Sequence, residues 1–214
     1  MLLPSLGNGN IKPMGDNMVL MQKELIVGNE YSSFVLLDKT ECPDYRGTGY
    51  LFRHKKTDME VFFLSTDNKE CFFTYTVYTP PKDNTGVFHI LEHTVLTGSR
   101  RYPVRDPFMA LSRNSCNTFL NAMTSPDRTD YPAASPVKKD FDNIFAVYTD
   151  AVFDPLLRKE DFMQEGIRLS SQGGLHFEGV VFSEMQGDIS SHQSVVQNSI
   201  SRPLFPPTSP YAYE

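Results

Sequence analysis

Between residues 34 and 79 the chain alternates between short apolar and short polar segments. The apolar segments are rich in aromatic and β-branched residues, which is typical of β-strands, and the polar segments Lys55–Asp58 and Thr66–Lys69 have the composition of hairpin turns. The pattern predicts an antiparallel meander that ends at Pro80-Pro81, because proline donates no hydrogen bond to a strand ladder. The predicted strands are Phe34–Leu37, Gly49–His54, Val61–Ser65 and Cys71–Thr79, preceded by a first strand or lead-in within Met18–Val27.

Helical periodicity dominates the chain after this strand-rich region. The clearest example follows Ser135, a predicted N-cap, and Pro136, a predicted first helical residue, and its apolar side chains recur at helical spacing as far as Asp154. Two further strands are predicted to pair across the turn Ser125–Asp127. The remaining predicted elements are the helices Gly86–Gly98, Asp106–Arg113, Glu160–Leu169 and Val180–Ile200, and the strands Cys116–Thr124, Arg128–Ala133 and Leu175–Phe177.

This order of elements predicts an α+β fold, in which helices pack on one face of a mostly antiparallel sheet. Residues 1–30 are predicted to be a lead-in segment, and residues 31–214 one domain. The hydrophobic content of 40% and charged content of 21% are typical of a globular protein. The Pro-rich segment 201–214 contains no closing element, which favours either a surface tail or a chain that continues in a longer protein.

Charge and composition exclude several classes of function. The net charge is −6 and no stripe of Lys and Arg is present, which argues against nucleic-acid binding. No apolar run of about 18 residues exists that could span a membrane. The N-terminus lacks the basic region of a secretory signal and the arginines of a transit peptide, and the three cysteines form no CxxC pair. These features predict a cytoplasmic location with reduced thiols.

The segment GVFHILEHTVLTG carries the strongest chemical signal. In a helix His89 and His93 lie one turn apart on the same face, with Glu92 beside them. Two imidazoles at this spacing can hold Zn²⁺, and a carboxylate beside them can accept a proton from water that the metal activates. This H-x-x-E-H order is the reverse of the H-E-x-x-H order in other zinc peptidases. Asn84 or Thr85 is predicted to cap the start of this helix, and Gly98 its end.

A catalytic zinc site needs a third protein ligand and keeps a fourth position for water. Spacing along the sequence does not choose among the candidates for that ligand. They are Glu160, Glu165, Glu178, Glu184 and His192.

Four segments in order resemble the N-terminal catalytic part of the presequence protease branch of the pitrilysin-type metallopeptidases, over about Thr79 to Tyr211. The segments are TPPKDNTGVFHILEHTVLTGSRRYPVRDPF, NTFLNAMTSPDRTDYPAAS, KDFDNIFAVYTDAVFDP and GVVFSEMQG. The resemblance implies that His89, His93 and Glu184 bind one Zn²⁺ and that Glu92 is the general base. Ser183 stands where the family usually has Asn before the third ligand.

The resemblance also implies a substrate and a larger protein. Leu120–Thr124 is similar to the family's edge strand, to which an unstructured peptide adds by main-chain hydrogen bonds, and Asn121 and Ala122 would contact that peptide. Family members are several times longer, and a C-terminal half supplies an Arg and a Tyr to the site. We therefore expect the 214-residue chain to bind zinc with weak or no peptidase activity.

Two other functions compete with this one. S-ribosylhomocysteine lyases also carry H-x-x-E-H but need a Cys ligand well downstream, whereas Cys116 is the last cysteine of this chain. Non-catalytic scaffold members of the same superfamily lack a ligand or the base. All four residues are present here, which favours the enzyme domain.

Overall fold

The computed structural model describes residues 24–213, and these residues divide into two compact units, with the division between Asn68 and Lys69. Most of the predicted lead-in within Met18–Val27 lies outside the described residues, and its described part, Glu24–Val27, forms no strand. The predicted boundary at residue 30 stays a prediction.

The first unit is an antiparallel sheet with the strand order β1-β2-β3-β4. The turn Lys55–Asp58 joins the last two strands as predicted, and the amide of His54 donates to the carbonyl of Met59 at 2.8 Å. Leu36 is fully buried. The four strands are β1 (Glu30–Tyr31), β2 (Phe34–Cys42), β3 (Gly47–His54) and β4 (Glu60–Thr66).

The predicted meander is wrong beyond β4. The next strand, β5 (Cys71–Tyr78), pairs with β8 (Arg128–Ser135) of the second unit. Its inward-facing Phe73 packs edge-on against Phe145 and Tyr148, with ring centroids 5.1 and 5.5 Å apart. Burial of this aromatic face decides the pairing of β5, and a turn-like sequence such as Thr66–Lys69 cannot reveal it.

The second unit contains a sheet of order β5-β8-β6, with β7 also paired to β8, and a small hairpin of β9 and β10. The mixture of helices and antiparallel sheets confirms the α+β prediction. Its other strands are β6 (Phe119–Leu120), β7 (Met123–Thr124), β9 (Arg168–Ser170) and β10 (His176–Glu178). Its helices are α1 (Val87–Val95), α2 (Pro107–Asn114), α3 (Lys138–Phe153), α4 (Lys159–Glu165), α5 (Val180–Ile189) and α6 (His192–Ser201).

The core of this unit lies where α1 and α3 cover the inner face of β8. Ala133 is fully buried, and Ile144 and Tyr148 are each 1% exposed. The core therefore joins the helix that carries the two histidines to the central strand of the sheet. The buried core residues are Val95, Leu96, Tyr131, Ala133, Ile144, Tyr148 and Ala151.

Several predicted boundaries are corrected by hydrogen bonding. Ser135 ends β8 rather than capping α3, and its hydroxyl donates to the Asp140 carboxylate at 2.8 Å. The single predicted strand 116–124 is broken into β6 and β7. The predicted long helix after residue 180 is two helices, because the hydroxyl of Ser191 accepts from the amide of Ser194 at 3.1 Å and starts α6.

The predicted helix Glu160–Leu169 ends at Glu165, and the chain then enters the β9–β10 hairpin. Gly173 and Gly174 make the turn of this hairpin, with φ values of 78° and 119° that favour glycine. No helix within residues 24–213 is long and apolar enough to cross a membrane.

Candidate metal centre

The helix α1 presents both histidines on one face. Its N-cap is Gly86, with a left-handed φ of 67°, rather than the predicted Asn84 or Thr85, and its C-cap is Leu96 rather than the predicted Gly98. The rings of His89 and His93 have centroids 5.0 Å apart. The spacing of the two imidazoles is therefore the one that the sequence predicts.

Glu184 on α5 completes a group of three with these histidines. Its Oε2 atom lies 3.5 Å from Nε2 of His89 and 3.4 Å from Nε2 of His93. One ligand atom from each residue lies within 4.8 Å of the others. Two imidazole nitrogens and one carboxylate oxygen form a donor set that suits Zn²⁺ and leaves a fourth position for water. These residues therefore fit the metal that the sequence predicts.

The other nitrogen of His93 contacts a second carboxylate. Its Nδ1 atom lies 3.1 Å from Oε2 of Glu165, which is buried, and the side-chain amide of Gln164 donates to Oε1 of the same carboxylate at 3.0 Å. In this arrangement Nδ1–H donates to Glu165, and Nε2 faces Glu184. Metal-binding histidines are commonly oriented by such a carboxylate.

Glu165 was one of the open candidates for the third ligand, and the structure places it behind His93 instead. Within residues 24–213, Glu184 alone of the five candidates joins the histidine pair in a group. Glu178 is paired with Arg168 at 2.7 Å. Cys116, which a lyase would need as a ligand, is exposed and outside this group.

Glu92 is buried beside the pair and is held by a threonine. Glu92 is only 6% exposed, and Oγ1 of Thr124 donates a hydrogen bond to Oε2 of Glu92 at 2.6 Å. Behind Thr124, the hydroxyls of Thr129 and Thr79 are hydrogen-bonded to each other at 2.8 Å. Burial, followed by the nearby Glu92 carboxylate, raises the pKa of the Tyr131 phenol well above its ordinary value of 10.0.

Asn121 and Ala122 lie at the break between β6 and β7, on the edge of the sheet, and line a cavity of about 590 Å³ together with the histidines. Two hydrogen bonds hold the backbone at this break. The amide of Asn121 donates to the carbonyl of Pro132 at 3.2 Å, and Oη of Tyr148 donates to the carbonyl of Asn121 at 3.1 Å. Burial raises the pKa of the Tyr148 phenol, so it remains a donor. The cavity also contains Glu92, Thr124, Glu165 and Glu184.

Sequence reasoning did not find the roles of Glu165 towards His93 or of Thr124 towards Glu92. Both contacts join residues that are far apart in the chain, at separations of 72 and 32. No local pattern marks them, and only the packing of α1 against α4 and β7 brings them together.

Comparison with known proteins identifies relatives of this chain. The sequence profile of the insulinase family, peptidase family M16, matches residues 78–172, which include both histidines and Glu92. The mitochondrial presequence protease of Danio rerio is 38% identical over 92% of this chain, and that of Mus musculus is 40% identical over 84%. The chain is therefore similar to the insulinase (M16) family. It resembles the presequence proteases within that family.

This chain spans only a small part of its relatives. It covers 20% of the Danio rerio protein, 18% of the Mus musculus protein and 18% of an uncharacterised Borreliella burgdorferi protein that is 46% identical to it. The crystal structure of pitrilysin matches it with a TM-score of 0.57 at 17% identity, over 85% of this chain and 18% of the pitrilysin chain. The match to pitrilysin supports the fold.

Proposed function

We propose that this chain is the zinc-binding part of an endopeptidase that hydrolyses unstructured peptides. The observation that carries the proposal is the convergence of His89, His93 and Glu184 within 4.8 Å, next to the buried carboxylate of Glu92. Similarity to the insulinase family supports a peptidase in general, and the metal and the mechanism are our proposal.

The proposed ligands are Nε2 of both histidines and a carboxylate oxygen of Glu184. Zn²⁺ bound there would polarise a peptide carbonyl and lower the pKa of water. Glu165 would keep His93 in the tautomer that offers Nε2, because a proton on Nδ1 is used in the hydrogen bond to its carboxylate. The protein thus supplies three ligands and one orienting group.

Glu92 would act as the general base. Its Oε2 atom is fixed by the Thr124 hydroxyl at 2.6 Å, whereas Oε1 makes no hydrogen bond within residues 24–213. Oε1 can therefore accept a proton from water and later pass it to the leaving amine. Because Glu92 is buried, water would reach its carboxylate from the cavity.

The peptide would add to the edge formed by β6 and β7. Among residues 24–213 this edge pairs with β8 on one side only, so its outward main-chain groups are available to an extended peptide. Asn121 and Ala122 lie on this edge and line the cavity that contains the histidines, and they would contact the peptide near the bond that is cleaved. Main-chain recognition explains why an unstructured peptide of varied sequence is the proposed substrate.

Metal analysis of the purified chain tests the proposal. We expect about one zinc per chain, because three ligands converge at one point. His89→Ala removes a ligand and should abolish stoichiometric binding. His54→Ala is the matched control, since His54 lies outside the metal group and bonds Thr57 at 2.7 Å. A wild-type chain that binds no zinc would refute the proposed function.

A further inference from the structure

Glu184 depends on its helix for its position. Among residues 24–213 its carboxylate contacts only the two histidines, and its side chain is 52% exposed. It follows Gly179, the N-cap of α5, whose carbonyl accepts the first helical hydrogen bond from the amide of Ser183 at 3.0 Å. Glu184 lies five residues beyond this cap, which is about 1.4 turns of an α-helix with 3.6 residues per turn. Any movement of Gly179 is therefore passed to Glu184.

The backbone of Gly179 is packed directly against the backbone of Gly166 and Ile167. A Cβ atom at position 179 would overlap the carbonyl oxygen of Gly166, and it would lie 2.7 Å from the Gly166 carbonyl carbon and 3.2 Å from Cα of Ile167. All of these atoms belong to the backbone and cannot rotate away as a side chain would. Only glycine fits position 179, although its φ of 162° is extended and open to any residue.

Gly166 links this contact to the helix that carries the histidines. Gly166 is buried. A Cβ atom at this position would lie 3.3 Å from Cγ2 of Ile90 on α1 and 2.9 Å from the carbonyl oxygen of Phe162 on α4. Ile90 directly follows His89 in sequence. The chain of contacts therefore runs from α1 through Gly166 to Gly179 and the start of α5.

Two side-chain contacts lie next to the place where Gly166 packs against Gly179. Arg168 donates to Glu178 at 2.7 Å, and these residues are opposite each other in the β9–β10 ladder. The rings of Phe177 on β10 and Phe182 on α5 have centroids 6.2 Å apart. We call the junction of Gly166, Ile167 and Gly179, closed by Arg168 and Glu178, the hairpin base.

We propose that the hairpin base is a positioning element for the metal site, in which the side-chain-free contact of Gly179 with Gly166 places Glu184 opposite the two histidines. This inference rests on the proposed zinc site. It assigns to Gly179 a role in metal affinity although Gly179 touches no ligand atom.

The expected effect of a side chain at position 179 follows from the geometry. Relief of the overlap requires the two backbones to separate by roughly 1 Å, because the surroundings are close-packed. Metal sites tolerate ligand displacements of about 0.5 Å. Glu184 would then no longer reach the metal together with both histidines.

The test is the zinc affinity of Gly179→Ala in the full 214-residue chain, measured by competition with a chromophoric chelator. We expect a loss of at least about tenfold, comparable with or larger than the loss of a supporting residue in other zinc sites. The visible absorption of the Co²⁺-loaded variant should also change, since it reports the number and geometry of ligands. Far-UV circular dichroism shows whether the variant folds.

Gly187→Ala is the matched control. Gly187 lies on α5 as well, and no atom lies within 4 Å of the Cβ that alanine would add. Its zinc affinity should stay within about twofold of the wild type, because additions that touch nothing leave the ligands in place.

A double variant separates positioning from general damage. If Gly179 acts through Glu184, Gly179→Ala should cost less than about twofold in a Glu184→Ala background, since the two changes then remove the same interaction. An equal loss in both backgrounds would overturn the proposal, and so would unchanged zinc affinity in folded Gly179→Ala.

Arg168→Met tests the role of the hairpin base if Gly179→Ala does not fold. It removes the bond that closes the hairpin base without adding an atom to the glycine contact, so we expect a folded chain with zinc affinity lowered about threefold or more, towards the lower range of supporting residues. Unchanged affinity in this variant would overturn the proposal. A wild-type chain without zinc binding would instead refute the proposed function.

Discussion

His93 has a carboxylate on each side of its ring. Glu184 faces Nε2 at 3.4 Å and Glu165 faces Nδ1 at 3.1 Å, but the side chain of Glu165 is 11% exposed whereas that of Glu184 is 52% exposed. The buried carboxylate is fixed by Gln164 and by the histidine, and the exposed one opens into the cavity. Exposure thus separates an orienting role from a proposed ligand role for two chemically identical groups.

Glu165→Ala should weaken zinc binding without removing a ligand. Loss of the bond to Nδ1 frees the ring and its tautomer, and such losses cost about 10- to 100-fold in metal affinity at other zinc sites. Chelator competition measures the effect. Glu160→Ala on the same helix is the control, since Glu160 is exposed in the first turn of α4 and should leave the affinity unchanged. Equal affinities for the two variants would contradict the orienting role of Glu165.

At the scale of elements, the β9–β10 hairpin joins the helix that carries Glu165 to the helix that carries Glu184. The exposed ring of His176 makes two polar contacts within this hairpin. Its Nε2 atom lies 2.9 Å from Oε1 of Glu178, and its Nδ1 atom lies 2.8 Å from the carbonyl oxygen of Gly174. The Gly174 carbonyl, and then the Glu178 carboxylate, raise the pKa of His176 above 6.5. A hydrogen bond from Ser170, and then from His176, lowers the pKa of Glu178 below 4.5.

These shifts give the hairpin a window of pH in which its pairing is strongest. The contribution of His176 is complete below pH 6.5 and is lost as the pH rises through its raised pKa. The contribution of Glu178 is complete above pH 4.5 and is lost as the pH falls through its lowered pKa. Both contributions are therefore complete between pH 4.5 and 6.5.

A proton NMR titration of His176 checks this assignment. We expect a midpoint above 6.5, and in Glu178→Gln a midpoint that moves part of the way back, because the larger contribution of the Gly174 carbonyl remains. His176→Asn provides the assignment of the resonance. A wild-type midpoint at or below 6.5 would show that the His176–Glu178 contact does not form in solution.

Taken as a whole molecule, the chain carries the proposed metal ligands and the proposed base but spans 18–20% of the relatives compared with it. The resemblance to pitrilysin-type enzymes implies that further residues elsewhere in those proteins support the transition state. Groups of this kind are each worth about 10²- to 10³-fold in rate. The cytoplasmic location inferred from the sequence stays a prediction.

We therefore expect the 214-residue chain to hydrolyse an unstructured fluorogenic peptide at least about 100-fold more slowly than the full-length Danio rerio presequence protease, in line with the loss of one such supporting group. Zinc content is measured on the same samples, so that an empty site is not mistaken for a slow one. A comparable rate would show that the described site is sufficient. Any residual hydrolysis should disappear in Glu92→Gln while zinc is retained, because the amide cannot accept the proton.

The local features of the protein follow from its amino-acid sequence alone. The alternation of apolar residues located β2 to β5, and the spacing of His89 and His93 placed both imidazoles on one face of α1. These results follow from the periods of strand and helix, which a few neighbouring residues set. The α+β class and the family resemblance also came from the sequence, since four segments keep their order along the chain.

Packing between elements determined which distant residues meet. It paired β5 with β8 instead of β4, chose Glu184 rather than Glu165 to face both histidines, and brought the backbones of Gly166 and Gly179 into contact. Each outcome depends on burial and close packing between elements far apart in the chain. Five carboxylate or histidine candidates look alike in sequence, and the packing of α4 and α5 on α1 distinguishes the proposed ligand Glu184 from Glu165, which contacts the other nitrogen of His93.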